Sequence, residues 1–259
     1  MKQTAYLLIL SATVLISACS NSQKNGTTDN KTTISFSKSE YKKQSVVSGK
    51  GNTELTAVIP IAEGNNQVAK NINDSVFRTI KLIVGQEGDK SMDYEELFSG
   101  FIKNYDKFAA ETPDYNLPWE ADIKGTVDYS NSDIINIKLV SYTMTGGAHG
   151  NPFTTSLLFS PKDGKELSIK DIVKDTASFT QLAEKKFRDK FNIPADKSIN
   201  STGLMFSNDK FALPQSIFVT KDGLLLYYNV YEIAAYVDGT KELLIPYNEI
   251  KDNLSVNIL

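Results

Sequence analysis

The sequence predicts an α+β protein made of two small modules, each an antiparallel or mixed sheet with helices packed on one face. Amphipathic helical segments are grouped rather than alternating strictly with strands, which favours an α+β fold over a doubly wound sheet. The two halves of the 259-residue chain have similar lengths and a similar order of elements, although no sequence repeat relates them. A body of about 240 residues is long enough to bury a core without disulfides.

The N-terminal residues predict export and lipid anchoring. Residues 5–18 form a 14-residue, largely apolar stretch, too short to span a bilayer but typical of a signal-peptide core. The segment Ile16-Ser17-Ala18-Cys19 matches a lipobox, in which the cysteine thiol receives diacylglycerol. A plain secretory signal with an incidental cysteine is the alternative.

These features divide the first 45 residues into a cleaved lipoprotein signal peptide, residues 1–18, and a polar, flexible tether, residues 19–45. We expect Cys19 to be the site of lipid attachment, so that the membrane is one partner. The protein would then lie in the cell envelope outside the cytoplasm, at the outer membrane or in the periplasm of a Gram-negative cell. Because Cys19 is the only cysteine, the folded body has no thiol for disulfides or thiolate zinc sites.

The first module is predicted over residues 46–150. Pro60 lies within its first strand and favours an edge position or a bend for that strand. Apolar residues recur at helical spacing in the two predicted helices, and alternation marks the two strands after them. In chain order, the predicted elements are a strand at 56–61, helices at 65–84 and 91–110, and strands at 123–129 and 134–144.

The second module is predicted over residues 151–259. Asp163-Gly164 and Asp222-Gly223 mark two tight turns between its strands. The predicted elements are a strand at 154–160, helices at 167–173 and 177–191, strands at 216–220, 224–230 and 241–246, and a closing helical turn at 247–254.

The charge balance argues against nucleic acid as a partner. The chain has 28 Lys and Arg against 31 Asp and Glu, a formal net charge of −3. No basic stripe interleaved with aromatic residues occurs, so nucleic-acid binding is not expected.

His149, the only histidine, lies among Gly146, Gly147 and Gly150 just after the last predicted strand of the first module. Glycine adopts positive φ without steric cost, so this segment is expected to form a tight loop. A zinc site without cysteine usually requires a second histidine, and no nucleophile elbow of the G-x-S-x-G type accompanies this one. We therefore interpret His149 as a structural residue whose ring bonds to nearby groups, with ligand contact as the main alternative. No catalytic residue, metal ligand or cofactor is predicted.

Carboxylates offer another route to catalysis. Glu120 and Asp122 lie near Trp119, and Glu232 lies between two tyrosines. A glycosidase needs two carboxyl groups at a defined separation across a cleft, and these residues are the plausible members of such a pair. The alternative function is therefore a carboxylate-dependent hydrolase that acts on envelope glycan or peptide.

The best candidate for a binding surface is a group of tyrosines, because tyrosine combines apolar area with a polar tip. The group consists of Tyr227, Tyr228, Tyr231 and Tyr236. Tyr227 and Tyr228 point to opposite faces of a strand, so at least one of them is expected in the core. For Tyr231 and Tyr236, core packing and binding are both open.

Three motifs resemble a known family. Residues 142–150, YTMTGGAHG, are similar to the signature Y-x-x-x-G-G-A-H in the extracytoplasmic region of the RsiV-like, lysozyme-sensing anti-sigma factors. Residues 159–171 resemble the family's segment on the C-terminal side of that signature, and residues 221–239 resemble a later stretch, with Ala235 in place of a usual proline. The first half resembles the module at the front of the peptidoglycan deacetylase PdaC. Together the resemblance covers roughly residues 50–250.

The resemblance implies an envelope-facing binding module whose partner is a lysozyme-like protein or peptidoglycan. Its ligand-binding candidates here are His149, Gly146, Gly147, Tyr231, Glu232 and Tyr236. RsiV-like proteins carry a sigma-binding segment and a membrane-spanning helix ahead of this region. A lipoprotein signal stands there in this chain, so we expect no sigma factor as a partner. The deacetylase chemistry of PdaC needs several metal-binding histidines, and one histidine cannot supply them.

The leading hypothesis is thus a non-enzymatic cell-envelope lipoprotein that binds a protein or cell-wall ligand. Its rivals are the carboxylate-dependent hydrolase and a scaffold protein without a small ligand.

Overall fold

The computed structural model describes residues 34–47, 52–114 and 117–258, which belong to one compact unit. The predicted signal peptide, Cys19 and the first part of the predicted tether lie outside the described residues. Within those described ranges, no helix combines the length and the apolar character needed to cross a bilayer.

The larger sheet has six strands that lie side by side in chain order. They are β1 (Phe36–Gln44), β2 (Glu54–Ala62), β3 (Glu120–Ser130), β4 (Ile135–Met144), β5 (Asn151–Phe159) and β6 (Glu166–Leu167). Neighbouring strands run antiparallel except β2 and β3, which are parallel because two long helices form the crossover between them.

The crossover helices, α1 (Gln67–Val84) and α2 (Tyr94–Glu111), pack their apolar stripes on this sheet. Asn66 and Asp93 cap them, since each side chain accepts a hydrogen bond from a backbone N–H of the first turn. The buried residues of this first core include Leu55, Ile72, Val76, Phe98, Phe101, Ile123, Ile137 and Leu139.

The smaller sheet has three antiparallel strands and forms the centre of a second core. Its strands are β7 (Ser216–Val219), β8 (Gly223–Tyr228) and β9 (Lys241–Pro246). The accompanying helices are α3 (Ile169–Ile172), α4 (Thr176–Lys190) and α5 (Tyr247–Ile250). Helix α4 buries Phe179, Ala183 and Phe187 at helical spacing in this core.

The predicted α+β class, with two modules that each contain a sheet, is confirmed. A hairpin turn between the two strands predicted at 123–129 and 134–144 joins β3 to β4, and the N–H of Asn131 donates to the carbonyl of Ile134 at 2.9 Å. The helices and strands predicted from periodicity all occur, with ends shifted by a few residues.

The predicted tether extends too far, because Phe36–Gln44 is strand β1 and pairs with β2 along its whole length. Although this segment is mostly polar, two of its side chains pack on the first core, Phe36 and Tyr41. The ring centroid of Tyr41 lies 5.2 Å from that of Phe98. Backbone pairing with β2 and the packing of these two rings stabilise β1 as a strand, although its other side chains are mostly polar.

An edge position or a bend was predicted for the proline-containing strand, and the edge position is wrong, since β2 lies between β1 and β3. The parallel pairing with β3 ends at Val58, so Pro60 stands beyond it, where β3 requires no backbone donor. Gly125 of β3 leaves room for the proline ring, because a Cβ there would lie 2.4 Å from Pro60 Cδ.

The module boundary predicted between residues 150 and 151 falls inside the hairpin of β4 and β5. Strand β5 pairs with β4 along its full length and therefore belongs to the larger sheet. On its other side β5 pairs with β6 only at Leu158 and Phe159. The remaining outer edge of β5 is covered by residues of the second module, and the candidate site lies there.

Candidate functional site

Two loops meet beside the outer edge of β5. The first, residues 145–150, joins β4 to β5, and the second, residues 229–239, comes directly after β8. Buried Asn229 fixes the second loop in place: its amide oxygen accepts from the N–H of Thr154 at 2.8 Å, and its amide nitrogen donates to the carbonyl of Thr154 at 2.9 Å. The side chain of Asn229 thus satisfies the backbone of Thr154 as a neighbouring strand would.

The glycines of the first loop have two different roles. Gly146 and Gly147 adopt φ values of 107° and 100°, which side chains rarely allow. Gly150 is required for space instead, because a Cβ there would lie 2.2 Å from the hydroxyl oxygen of Tyr142. Candidates Gly146 and Gly147 therefore shape the loop that presents the histidine.

The ring of His149 is held by three contacts. Its Nδ1 lies 3.2 Å from the carbonyl oxygen of Gly150, its Nε2 lies 3.0 Å from the hydroxyl of Tyr231, and it stacks on Tyr236 with centroids 4.0 Å apart. A carbonyl can only accept, so in the neutral ring Nδ1 carries the proton and the Tyr231 hydroxyl donates to Nε2. The ring thus bonds to nearby backbone and side-chain groups, as we interpreted from the sequence, but it lies on the surface.

Tyr231 is an exposed ring of the site and has a strained backbone. Its side chain is 59% exposed, and its φ of 65° lies in the left-handed region, where a residue with a Cβ is disfavoured. Strain of this kind persists only where the surroundings impose it, and it concentrates at functional positions.

Glu232 imposes the shape of this loop. One carboxylate oxygen accepts from the N–H of Gln215 at 2.8 Å, and the other accepts from the N–H of Asn229 at 2.9 Å. Such charge-assisted hydrogen bonds are stronger than neutral ones. The carboxylate of Glu232 therefore bonds back to Asn229, two residues before Tyr231, and ties this loop to Gln215.

We name the contacting side chains of His149, Tyr231 and Tyr236 the His149 cluster. The centroids of Tyr231 and Tyr236 lie 5.5 Å apart with their planes at 40°. The other three predicted candidates, the two glycines and Glu232, shape the loops that carry this cluster. Tyr142 lies over Gly150, next to His149 in the chain. Neither Tyr142 nor Asn229 was among the predicted members of the site.

The other two tyrosines of the predicted group lie elsewhere. Tyr228 is 1% exposed in the second core, donates its hydroxyl to the carbonyl of Ala212 at 2.8 Å, and has a pKa raised by burial and by the nearby Glu232 carboxylate. Tyr227 is half-buried and packs edge-on against Phe218. The prediction that at least one of this pair is core is confirmed.

The candidate carboxylates have separate partners. Glu120 and Asp122 are exposed on β3, where Asp122 accepts a hydrogen bond from the hydroxyl of Thr56. Trp119, their neighbour in sequence, is buried in the first core with α2. Glu232 bonds to the backbone of a different loop. Among the residues that the structure describes, no group of three or more His, Cys, Asp or Glu side chains could hold a metal ion.

A polar cleft of about 290 Å³ lies away from the cluster, between α1 and the turn that joins β5 to β6. Its charged groups compensate one another: Glu166 accepts from the Ser75 hydroxyl and lies 3.5 Å from Arg78. Without an uncompensated charge, this cleft carries no assignment.

Comparisons with known proteins agree with this architecture. Residues 46–152 match the family model described as deacetylase PdaC, and residues 165–248 match DUF3298, described as a protein of unknown function. The sequence has no significant match among curated proteins.

Two crystal structures have a similar fold. One, a DUF3298 family member from Bacteroides fragilis, has a TM-score of 0.65 and 19% identity, over 86% of this chain and 94% of that one. The other, a DUF3298 family protein from Pseudomonas aeruginosa, has a TM-score of 0.62 and 18% identity, over 87% of this chain and 96% of that one. At these identities the likeness concerns the fold. The chain thus contains a PdaC domain followed by a DUF3298 domain.

Proposed function

We propose that this protein is a non-enzymatic, lipid-anchored protein of the bacterial cell envelope that binds a protein or cell-wall ligand through the His149 cluster. The observation that carries the proposal is Tyr231, an exposed aromatic ring on a strained backbone, held in a fixed orientation by His149. Exposed, rigid tyrosines supply contact area at a low entropic cost and are enriched at binding surfaces.

The RsiV-like resemblance supports the same surface. Its two motifs, residues 142–150 and 221–239, are far apart in the chain, and the side chains in contact in the cluster come from these two motifs. That family senses lysozyme, which makes a lysozyme-like protein one candidate ligand and peptidoglycan the other.

The engagement of Glu232 supports a binding function over hydrolysis. A catalytic acid or base must be free to exchange a proton with its substrate. Both oxygens of Glu232 instead accept hydrogen bonds from backbone N–H groups, which suits a residue that shapes a loop.

A retention assay tests the proposal. The full chain is incubated separately with purified peptidoglycan sacculi and with immobilised lysozyme, as wild type, as Tyr231→Gly and as the control Leu82→Ala. Leu82 is an exposed apolar side chain on α1, a helix of the first core, outside the cluster. We expect one of the two ligands to retain wild type and Leu82→Ala but not Tyr231→Gly. Failure of both ligands, or equal retention of all three proteins, contradicts the proposed function.

Two further measurements test the proposed lipid anchor and the proposed lack of enzymatic activity. Cys19→Ser should move the protein from the membrane to the soluble fraction of the cell, and unchanged membrane partition would contradict the lipid anchor. Release of labelled fragments from cell wall by the wild-type protein, abolished in Glu232→Gln, would support the hydrolase instead.

A further inference from the structure

We infer that the ligand of the His149 cluster is a saccharide, whose pyranose ring stacks on the exposed ring of Tyr231. This inference rests on the proposed function and narrows it to one chemical class. Three features carry it: a pre-oriented aromatic face, phenolic hydroxyls in and beside the cluster, and the engagement of the two charged side chains of Glu232 and Lys241.

The aromatic face is oriented before any ligand arrives. Tyr231 is 59% exposed, yet its hydroxyl is bonded to Nε2 of His149. The next residue, Glu232, ties the loop to Gln215 and Asn229 by two hydrogen bonds. Tyr236 supports the histidine from behind by stacking at 4.0 Å. Binding to a ring that is already ordered costs little conformational entropy.

The phenolic hydroxyls in and beside the cluster have unused hydrogen-bonding capacity. The hydroxyls of Tyr142 and Tyr236 make no hydrogen bond with any protein group in the part of the chain that the structure describes. The Tyr231 hydroxyl donates to His149 and retains its acceptor capacity. Each phenol can donate and accept, and so can each hydroxyl of a sugar.

Two charged side chains near the cluster, those of Glu232 and Lys241, are already engaged. Glu232 bonds to two backbone N–H groups, and Lys241 donates its ammonium to the carbonyl of Asp238. An ionic ligand would therefore meet no free counter-charge from these two residues. A pyranose ring is neutral, presents an apolar face of C–H groups for stacking, and carries hydroxyls at its rim.

A proline-rich peptide also stacks on tyrosines, but it matches the cluster less well. Such a segment offers carbonyl acceptors and lacks donors at its proline positions. The acceptor capacity of the three phenols would then remain unused, whereas sugar hydroxyls satisfy both their donor and their acceptor capacity.

Calorimetric titration of the full chain, solubilised in detergent, tests the inference with a soluble N-acetylglucosamine tetramer as the probe. A proline-rich decapeptide and isolated peptidoglycan stem peptides are the comparison probes. We expect the tetramer to bind and the two peptides not to bind. Tyr231→Gly should raise the Kd for the tetramer by about tenfold or more, and Leu82→Ala should leave it unchanged.

The variant Tyr231→Phe separates the ring from its hydroxyl. It keeps the stacking face and loses the bond to His149, so its Kd should lie between those of wild type and Tyr231→Gly. A thermal unfolding scan of each variant establishes that the altered affinity belongs to a folded protein.

Each contrary outcome has a distinct meaning. If sacculi or lysozyme retain the protein in a Tyr231-dependent way while the tetramer does not bind, the saccharide inference fails and the proposed function stands. Binding of either peptide in place of the tetramer also overturns the inference, as does tetramer binding that Tyr231→Gly leaves unchanged. If sacculi, lysozyme and the tetramer all fail to bind, the proposed function and the inference fail together.

Discussion

Two aromatic clusters of this protein have similar distances between their rings but differ in solvent exposure and in backbone conformation. In the first core, Trp119 packs against Phe101, Tyr105 and Phe108 with centroids 5.7 to 5.9 Å apart. In the His149 cluster the centroids lie 4.0 to 6.1 Å apart. Trp119 is 7% exposed and Tyr231 is 59% exposed. The ring-to-ring distances of the packing cluster and of the proposed binding surface therefore overlap, whereas their exposure and backbone conformation differ.

The two clusters also differ in how they are held. The rings around Trp119 lie on α2, whose stripe is buried by its own periodicity. The His149 cluster depends on glycines, on the Asn229 bridge and on a left-handed tyrosine. Backbone strain of this kind concentrates at functional sites, which supports the binding role proposed for this cluster.

The greatest loss of stability should come from the packing cluster. Phe101→Ala removes a ring that is 2% exposed, and the remaining cavity should lower the free energy of unfolding by about 3–5 kcal/mol. Denaturant unfolding measures this loss. Because Phe101 packs in the first core against Trp119, ligand affinity of the folded fraction should not change, and a matching loss of affinity would contradict the separation of the two clusters.

Glu232→Gln should have the next largest effect. The amide nitrogen of glutamine would face a backbone N–H of Gln215 or Asn229, so one charge-assisted hydrogen bond is lost, worth about 1.5–3 kcal/mol. Denaturant unfolding again reports the change. An unchanged stability together with a lost enzymatic turnover would identify Glu232 as catalytic instead.

His149→Ala should lower the free energy of unfolding less than Glu232→Gln does. The ring of His149 is exposed, so water can replace part of the hydrogen bonding that is lost with it. We expect a decrease of about 0.5–1.5 kcal/mol in the free energy of unfolding, the value of one hydrogen bond. Tyr231→Phe removes the same bond from the other side, so the double variant should lose less than the sum of the two single variants. Strict additivity would show that the bond contributes nothing to stability.

Tyr231→Gly should change stability least. Relief of the left-handed strain is worth about 1–2 kcal/mol, while added freedom of the unfolded chain costs about 0.4–1 kcal/mol and the contacts with His149 are lost. The net change should lie within about 1 kcal/mol of zero, and thermal unfolding measures it. A loss as large as that of Phe101→Ala would show that Tyr231 is a packing residue after all.

The fold was predictable wherever local periodicity decides the structure. Both long helices, the hairpin turns and the strands of the second module can be read from spacing and turn residues in their own segments. Strand β1 was missed because its assignment depends on Tyr41 meeting Phe98, and the interior position of β2 was missed because it depends on where pairing with β3 ends. These are long-range contacts that composition does not reveal.

Most residues of the site were predictable from the sequence, but the contacts that join them and their backbone conformation were not. The glycine–histidine motif and the later tyrosines are visible in the sequence, but the hydrogen bond that joins His149 to Tyr231 spans 82 positions of the chain. The left-handed conformation of Tyr231 has no signal at all, since the sequence shows no glycine or asparagine there. Only the folded arrangement separates the two tyrosines of the cluster from Tyr228, which has the same residue type and a place in the core.

The bridge from Asn229 to Thr154 has a consequence for the solubility of the protein. A truncated chain that stops before residue 216 would keep the larger sheet but leave the rim of β5 with unpaired peptide groups. Exposed strand rims of this kind recruit strands from other molecules and seed aggregates. The DUF3298 domain therefore also shields its N-terminal neighbour from self-association, and the two domains should be expressed together rather than separately.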